Sequence, residues 1–208
     1  MSRTTKKYQG VISYTTKRPR KSMEPKKIKK PLTEGQRAQR LRFGMAMSFL
    51  CSAKALIKTG FNPPRGLTAM NLAVRCFLRR SITGVYPDFK IDYSNVFISA
   101  KSKGNMENGV HFLIFPMIGR QIDLSWEPGL YPPKDSAYDD LLNVFFYNET
   151  QNEALPVEEA GLRSADSYTG QLSLWKAGDI IHTWIFFNSR AGNMVSTSEY
   201  LGPVVLLA

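Results

Sequence analysis

The spacing of the apolar residues changes once along this chain, and the change falls within residues 81–87. Before it, apolar residues recur every three or four positions, as in Leu41, Met45 and Phe49, which is the period of one helix face. After it, short alternating or continuous apolar stretches predict strands. This order of patterns predicts an α+β protein in which helices come first and strands follow.

Two amphipathic helices are predicted within residues 32–82. The first begins at Thr33, because Thr33 and Gln36 have the spacing of a capping box, and it ends at Gly60. The second follows a break rich in Pro and Gly, and Thr68 is its predicted N-cap residue.

Seven strands are predicted after the helices, and turns rich in Gly, Pro, Asn and Asp separate them. Short strands with frequent turns are typical of an antiparallel β-sandwich of the immunoglobulin or fibronectin type. We expect Trp126, Trp175 and Trp184 to lie in or beside its core, because large aromatic side chains dominate protein cores. The predicted strands cover residues 95–100, 110–115, 121–126, 141–147, 168–175, 180–187 and 195–201.

Half of the Lys and Arg residues lie near the N-terminus. Residues 1–43 hold 14 of the 28 basic residues but only 2 of the 17 acids, a net charge of +12, whereas the other 165 residues carry −1. A segment so basic and so poor in apolar surface does not fold alone. We therefore predict a basic extended arm over residues 1–31, a helical segment over 32–82 and the sandwich over 83–208. Residues 8–14 favour pairing with a sheet edge, and a disordered tail without contacts is the alternative.

The chain offers few candidates for catalysis or metal binding. His111 and His182 each lie in a strand-like stretch without Cys, Asp or Glu at ligand spacing, so we expect no zinc site. Neither a Gly-x-Ser-x-Gly elbow nor a Gly-rich phosphate loop occurs. The adjacent acids at 139–140 and 158–159 point to opposite faces if extended, and solvated acids are ordinary beside loops. We expect a protein that is not an enzyme and uses no cofactor.

Localisation follows from what the first residues lack. The chain opens with charge and no apolar stretch follows, so we expect neither a secretory signal nor an anchor. No apolar run approaches the ~20 residues that a membrane helix needs. Cys51 and Cys76 lie in apolar helical stretches, where a free thiol behaves as a small hydrophobe. A cytoplasmic protein is expected, and a virion component would show the same features.

The basic residues are the remaining candidate site. Lys and Arg neutralise phosphates while Tyr8 and Tyr14 offer faces for base stacking, so we predict polyanion binding with a steep salt dependence. Contacts should be mainly with a phosphate backbone, because nothing resembles a base-reading helix. Acidic proteins and simple solubility are alternatives, and the arm lacks the amphipathic stripe that favours a membrane. The candidate residues are Lys17, Arg18, Arg20, Lys21, Lys26, Lys27, Lys29, Lys30, Arg37, Arg40 and Arg42.

Three stretches resemble those of a known family. They are PLTEGQRAQRLRF at residues 31–43, SITGVYPDF with IDYS at 81–94, and VSTSEYLG at 195–202. Their order and spacing resemble a family of bacterial proteins of unknown function and similar length, and the likeness spans nearly the whole chain. The resemblance supports the predicted boundaries and implies no activity, substrate or cofactor.

Two functions agree with these features. The first is a non-enzymatic structural or assembly protein, including a component of a phage-like or other multi-subunit particle, whose β body packs with copies of itself. The alternative is a monomeric accessory protein associated with nucleic acid or the ribosome, in which the arm, Arg37, Arg40 and Arg42 form one footprint. The expected partners are copies of this chain or a larger assembly, and nucleic acid through the arm. Neither a membrane nor a small-molecule substrate is expected.

Overall fold

A computed structural model describes residues 31–100, 106–127 and 135–208. Within these ranges, three α-helices precede the β-strands, and residues Thr33–Ala208 belong to one unit. The helices are α1 (Glu34–Ser52), α2 (Lys54–Gly60) and α3 (Ala69–Arg80). The strands are β1 (Ile82–Thr83), β2 (Lys90–Ile91), β3 (Val110–Met117), β4 (Gln121–Glu127), β5 (Leu141–Asn148), β6 (Glu153–Leu162), β7 (Ser167–Gln171), β8 (Ile180–Asn188) and β9 (Glu199–Val205).

Both predicted helix starts are confirmed. The Thr33 hydroxyl accepts a hydrogen bond from the Gln36 amide, and the Gln36 side chain accepts one from the Thr33 amide, so the capping box is complete. The Thr68 hydroxyl accepts from the Asn71 amide over 3.2 Å. The first predicted helix is not continuous, however, because the chain turns at buried Ala53 and separates α1 from α2.

The larger strands form two antiparallel sheets. The three-stranded sheet has the order β3-β4-β7 and the four-stranded sheet the order β6-β5-β8-β9, while β1 and β2 form a small hairpin. Apolar side chains from both larger sheets share one core, to which Leu124 and Trp126 contribute from β4 and Phe146 and Phe187 from β5 and β8. The predicted α+β fold with an antiparallel sandwich is therefore confirmed.

Strands β5 and β8 are buried on both faces. Phe146 and Phe187 face the three-stranded sheet, whereas Phe145 and Trp184 face the helices. Phe49 of α1 packs against this second face, with 5.8 Å between its ring centroid and that of Trp184. Successive strand residues point to opposite faces, so a strand between two cores needs apolar residues throughout. The unit is thus three-layered, with the four-stranded sheet between the helices and the three-stranded sheet.

The three tryptophans are buried as predicted: Trp126, Trp175 and Trp184 are each at most 4% exposed. Cys76 is half-buried, but Cys51 lies exposed on α1, so its predicted packing as a small hydrophobe is wrong. The turn of α1 that carries Cys51 buries Phe49 and Leu50 instead. No helix in the described part of the chain is long and apolar enough to cross a membrane.

The prediction of a strand at residues 95–100 is wrong. This segment begins in a short 3₁₀-helix, Tyr93–Asn95, and pairs with none of the described strands. The Ala100 amide donates to the Gly60 carbonyl and the Ile98 amide to the Ser198 hydroxyl, so its bonds go to a helix end and a side chain. Gly60 permits the approach, because a Cβ atom there would lie 2.7 Å from the Ile98 oxygen. Val96 and Ile98 are nevertheless buried, which explains their strand-like alternation.

Strand β6 was not predicted. It contains Pro156 and the adjacent Glu158 and Glu159, which are residue types that are rare in strands. Because β6 lies at an edge of its sheet, it tolerates a missing amide and exposed charge. Its pairing with β5 is irregular between Leu142 and Val144, and Glu159 has a positive φ of 52° there.

Two other predicted strands have different limits. The strand predicted at 168–175 ends at Gln171, because the chain then forms a turn in which the Trp175 amide donates a hydrogen bond to the Leu172 carbonyl. The strand predicted at 195–201 begins only at Glu199 and continues to Val205. Before it, the Ser198 amide donates to the Ser99 carbonyl, so this part of the chain is bonded to the segment at 95–100.

Candidate interaction surface

The predicted polyanion-binding residues fall into two groups. Eight of them, Lys17, Arg18, Arg20, Lys21, Lys26, Lys27, Lys29 and Lys30, lie outside the described residues. The other three lie on the first half of α1, where the side chains of Arg37 and Arg40 are exposed and that of Arg42 is half-buried.

Arg42 is held inside the fold. Its Nη2 atom donates to the backbone oxygen of Leu78 over 2.7 Å, and its guanidinium lies 5.7 Å from the ring centroid of Phe89. Leu78 is in the last turn of α3, where backbone oxygens lack partners within the helix and attract cations. Arg42 therefore stabilises the α1–α3 contact, and Arg37 and Arg40 are the two arginines of α1 whose side chains are exposed.

The helices carry positive charge and the sheets carry negative charge. Residues 33–82 contain nine Lys and Arg and one acid, a net charge of +8, whereas residues 83–208 contain eight Lys and Arg and fifteen acids, a net charge of −7. Because the helices pack on one face of the four-stranded sheet, this difference along the sequence becomes a difference between layers. Such a separation places the positive potential on the helix layer.

An apolar groove opens to solvent between α1 and α3, with a volume of about 470 Å³. Phe43 at its side is 49% exposed. A second apolar recess of about 540 Å³ adjoins it between α2 and α3, and Met70 borders both. Methionine side chains are flexible and adapt to different partners. The helix groove is lined by Phe43, Met47, Met70, Val74 and Leu78.

Basic residues border this apolar surface. Arg75 and Arg79 of α3 line the helix groove, and Lys54 and Lys58 of α2 line the adjoining recess. An apolar recess with positive margins suits a partner that presents apolar side chains next to carboxylates. The charge of α1 is evident from the sequence but this groove is not, because a groove depends on how α1 and α3 pack.

Residues 4–202 match the family of unknown function DUF6266. The chain belongs to this family. The resemblance recognised in the sequence is therefore confirmed. No curated protein matches this chain.

Solved structures similar to this DUF6266 chain contain fibronectin-type domains. The twitchin kinase region from C. elegans (Fn31-NL-kin-CRD-Ig26) is 16% identical over 49% of this chain and 16% of that chain, with a TM-score of 0.37. The fn3 domain of human contactin 1 is 8% identical over 52% of this chain and 83% of that chain, with a TM-score of 0.31.

A cluster of polar and aromatic side chains surrounds His182. The His182 Nε2 atom lies 3.0 Å from a Glu149 carboxylate oxygen, and its Nδ1 atom lies 2.6 Å from the Tyr200 hydroxyl. The Tyr93 ring stacks on the imidazole with 4.0 Å between centroids. An imidazole with its proton on Nε2 satisfies both contacts, because Nε2 donates to the carboxylate and Nδ1 accepts from the hydroxyl.

The order Tyr200, His182, Glu149 resembles that of a nucleophile, a base and an orienting acid. Burial, with the nearby carboxylates of Glu149 and Asp92, raises the pKa of Tyr200 to about 12. Burial also raises the pKa of Tyr93, with Tyr147 and Glu149 adding to the effect. An attacking hydroxyl is normally activated by a lowered pKa or an adjacent base. Here the environment keeps the Tyr200 hydroxyl protonated and able to donate a hydrogen bond.

Sequence spacing gave no sign of this cluster. Glu149 follows β5 and His182 is in β8, so they meet only because the antiparallel register sets Tyr147 opposite His182. The other histidine, His111, contacts Glu127 across the β3–β4 pair at 3.0 Å, and both side chains are largely exposed. Neither cluster contains enough ligands for a metal, and within the described ranges no three His, Cys, Asp or Glu residues form a potential metal site.

The prediction that the adjacent acids at 139–140 are solvated is wrong for Asp140. Its carboxylate is buried and lies 3.1 Å from the Nε atom of Arg163, whose side chain is fully buried. Arg163 also donates to the Glu107 backbone oxygen and lies 4.1 Å from the Phe187 ring centroid. Burial lowers the pKa of Arg163, and the Asp140 carboxylate opposes this shift. This ion pair is part of the sandwich core rather than of an exposed site.

Proposed function

We propose that this protein is a non-enzymatic structural or assembly protein of the cytoplasm or of a virion-like particle, and that it binds a polyanion through its basic arm and α1. The separation of charge carries the proposal. Residues 1–32 have a net charge of +10 and residues 33–82 one of +8, whereas residues 83–208 have one of −7. A uniformly basic protein would attract polyanions over its whole surface, but this one directs them to its first 82 residues.

The polyanion contacts combine the arm with two side chains of α1. Only Leu32 separates the arm from Thr33 in sequence, and Arg37 and Arg40 are exposed in the first turns of the helix. Basic residues near a helix N-terminus oppose the helix dipole, so their presence there serves a partner rather than helix stability. Flexible Lys and Arg side chains bind phosphates without reading base sequence, so we expect little sequence preference.

The His182 cluster supports the proposal that the protein is not an enzyme. This cluster has the hydrogen-bond order of a catalytic triad, but its terminal hydroxyl belongs to Tyr200, whose pKa is raised rather than lowered. The imidazole is 5% exposed and is covered by the Tyr93 ring, which restricts access for a substrate. The cluster instead connects β8 and β9 with the segment around Tyr93.

The charge proposal is tested by the salt dependence of binding. The full chain is compared with a variant in which Lys17, Arg18, Arg20, Lys21, Lys26, Lys27, Lys29 and Lys30 are changed to Gln, with random-sequence double-stranded DNA as the probe. Affinity should fall most at low salt. The slope of log affinity against log salt should shrink by at most about 0.9 per lost phosphate contact.

Two smaller variants locate the contribution of α1. Arg37→Gln with Arg40→Gln should weaken binding, whereas Lys176→Gln with Arg190→Gln removes two exposed basic residues of the sandwich and should not. Equal affinity of all variants and the parent at every salt concentration would contradict a polyanion role for the arm and α1.

A monomeric accessory protein bound to nucleic acid or the ribosome is the second candidate, and the exposure of Arg37 and Arg40 favours it. The two candidates differ in mass. An assembly protein stays multimeric after nuclease treatment, whereas a monomeric accessory protein loses its nucleic acid and elutes as a monomer. Light scattering after size-exclusion chromatography, with and without nuclease, separates them.

A further inference from the structure

The helix groove has a counterpart on the opposite side of the unit. Leu113, Phe115 and Met117 of β3 are 53%, 49% and 43% exposed. They alternate with Phe112 and Ile114, which pack into the sandwich core, so the three exposed side chains share the outer face of the three-stranded sheet. We call these three residues the β3 stripe. Isolated exposed apolar residues are ordinary, whereas several on one face of a strand make that face a candidate interaction surface.

The β3 stripe is suited to face-on packing rather than to the addition of another strand. β3 lies at the edge of its sheet, where an open row of amides would invite a further strand. Pro116 lies within this edge and has no amide hydrogen to donate. A partner therefore gains more from the exposed side chains than from the strand edge.

The two apolar surfaces lie on opposite sides of the four-stranded sheet. The helices pack on one face of that sheet, and the three-stranded sheet packs on the other. One copy therefore cannot place its own β3 stripe in its own helix groove. A second copy can do so, and the resulting pair then retains one free groove on one copy and one free stripe on the other.

Charge favours the same pairing. Asp123 of β4 is paired with Phe115 of the β3 stripe, and Glu127 lies at the other end of the same pair of strands, opposite Val110. Arg75 and Arg79 line the helix groove. Contact between stripe and groove brings carboxylates toward guanidinium groups, and the net charges of +8 for residues 33–82 and −7 for residues 83–208 have the same complementarity.

We propose that the helix groove of one copy binds the β3 stripe of a second copy, so that the chains assemble head to tail. This inference rests on the assembly function proposed above and names the interface. Interfaces between different surfaces of identical chains generate closed rings or open filaments, depending on the rotation between neighbours. The assembly grows through repeated groove–stripe contacts, either as an open filament or until a ring closes.

The test uses one substitution on each surface of the full chain, after nuclease treatment. Phe43→Lys alters the groove and Phe115→Lys alters the stripe, and both side chains are about half exposed, so the fold tolerates the change. Leu174→Lys is the matched control, because Leu174 is 84% exposed and belongs to neither surface. Circular dichroism and urea denaturation verify that each variant is folded, and light scattering gives its mass.

The parent and Leu174→Lys should form multimers, and Phe43→Lys and Phe115→Lys alone should each be monomers. A mixture of these two variants should give particles of twice the monomer mass and nothing larger, because one intact stripe meets one intact groove. The inference is overturned if either surface variant assembles as the parent does, if their mixture stays monomeric, or if the control is also a monomer. A parent that is itself monomeric contradicts the assembly function as well, whereas a multimeric parent with multimeric surface variants contradicts only this interface.

Discussion

Arg42 and Leu78 connect α1 with the last turn of α3 through a hydrogen bond of 2.7 Å from a guanidinium nitrogen to a backbone oxygen. This bond gives Arg42 a different role from Arg37 and Arg40, although all three lie within six residues of sequence. One of these arginines stabilises the helix layer, and the side chains of the other two are exposed to solvent.

This difference predicts opposite effects of two similar substitutions. Arg42→Gln should lower the free energy of unfolding by about 1.5–3 kcal/mol, the range for a hydrogen bond from a charged donor. Arg40→Gln should change it by less than about 0.5 kcal/mol, as exposed substitutions do. Polyanion affinity should respond in the reverse order. Urea denaturation and a DNA titration measure both effects, and equal denaturation midpoints for the two variants would show that the Arg42 bond does not stabilise the fold.

The start of α1 gives a second prediction. Thr33→Ala removes the acceptor of the Gln36 amide and should cost about 0.5–2 kcal/mol of folding free energy. Thr33→Ser keeps the hydroxyl and is the matched control, with stability close to that of the parent. Chemical denaturation compares the three proteins. If the alanine and serine variants unfold at the same midpoint, the capping box does not contribute to stability.

The buried Arg163–Asp140 ion pair gives a third prediction. Arg163→Met leaves the Asp140 carboxylate buried without its charged partner, so we expect a loss of about 3–5 kcal/mol. Adding Asp140→Asn should restore part of that loss, because the asparagine carries no charge. A double-mutant cycle by urea denaturation measures the coupling between them. Strictly additive losses would mean that the two side chains act independently.

Local signals in the sequence predicted much of the fold. Thr33 and Thr68 were recognised as caps because a cap depends on residues within three positions. Strands β5 and β8 were recognised because burial on both faces requires a continuous apolar run. In both cases the physical cause acts within one element.

Features that depend on distant residues were not predicted. The segment at 95–100 has the alternation of a strand, but its amides find Gly60 and Ser198 instead of a neighbouring strand. Glu149 and His182 meet through strand register, and the helix groove arises from the packing of α1 on α3. Arg42 was grouped with Arg37 and Arg40 because a sequence does not show that Leu78 lies within reach of its guanidinium.

The last prediction concerns the pH dependence of stability. The pKa of Tyr200 is raised from its ordinary value of 10.0 to about 12, first by burial and then by the carboxylates of Glu149 and Asp92. A raised pKa means that the folded protein holds the phenolic proton more tightly than the unfolded chain does, so Tyr200 contributes its full stability below about pH 10. As the pH rises toward 12, the unfolded chain loses the proton first, and the free energy of unfolding should fall.

Tyr200→Phe identifies the group responsible. This variant should be less stable than the parent near neutral pH, because the hydroxyl bonded to His182 is lost. Its stability should then decline less steeply in alkaline solution, because one titrating group with a raised pKa is absent. Urea denaturation from neutral to alkaline pH measures both curves, and the ultraviolet absorbance of tyrosinate follows the titration directly. Parallel curves for the parent and Tyr200→Phe would mean that the alkaline loss comes from other groups, since removing Tyr200 would then leave the proton linkage unchanged.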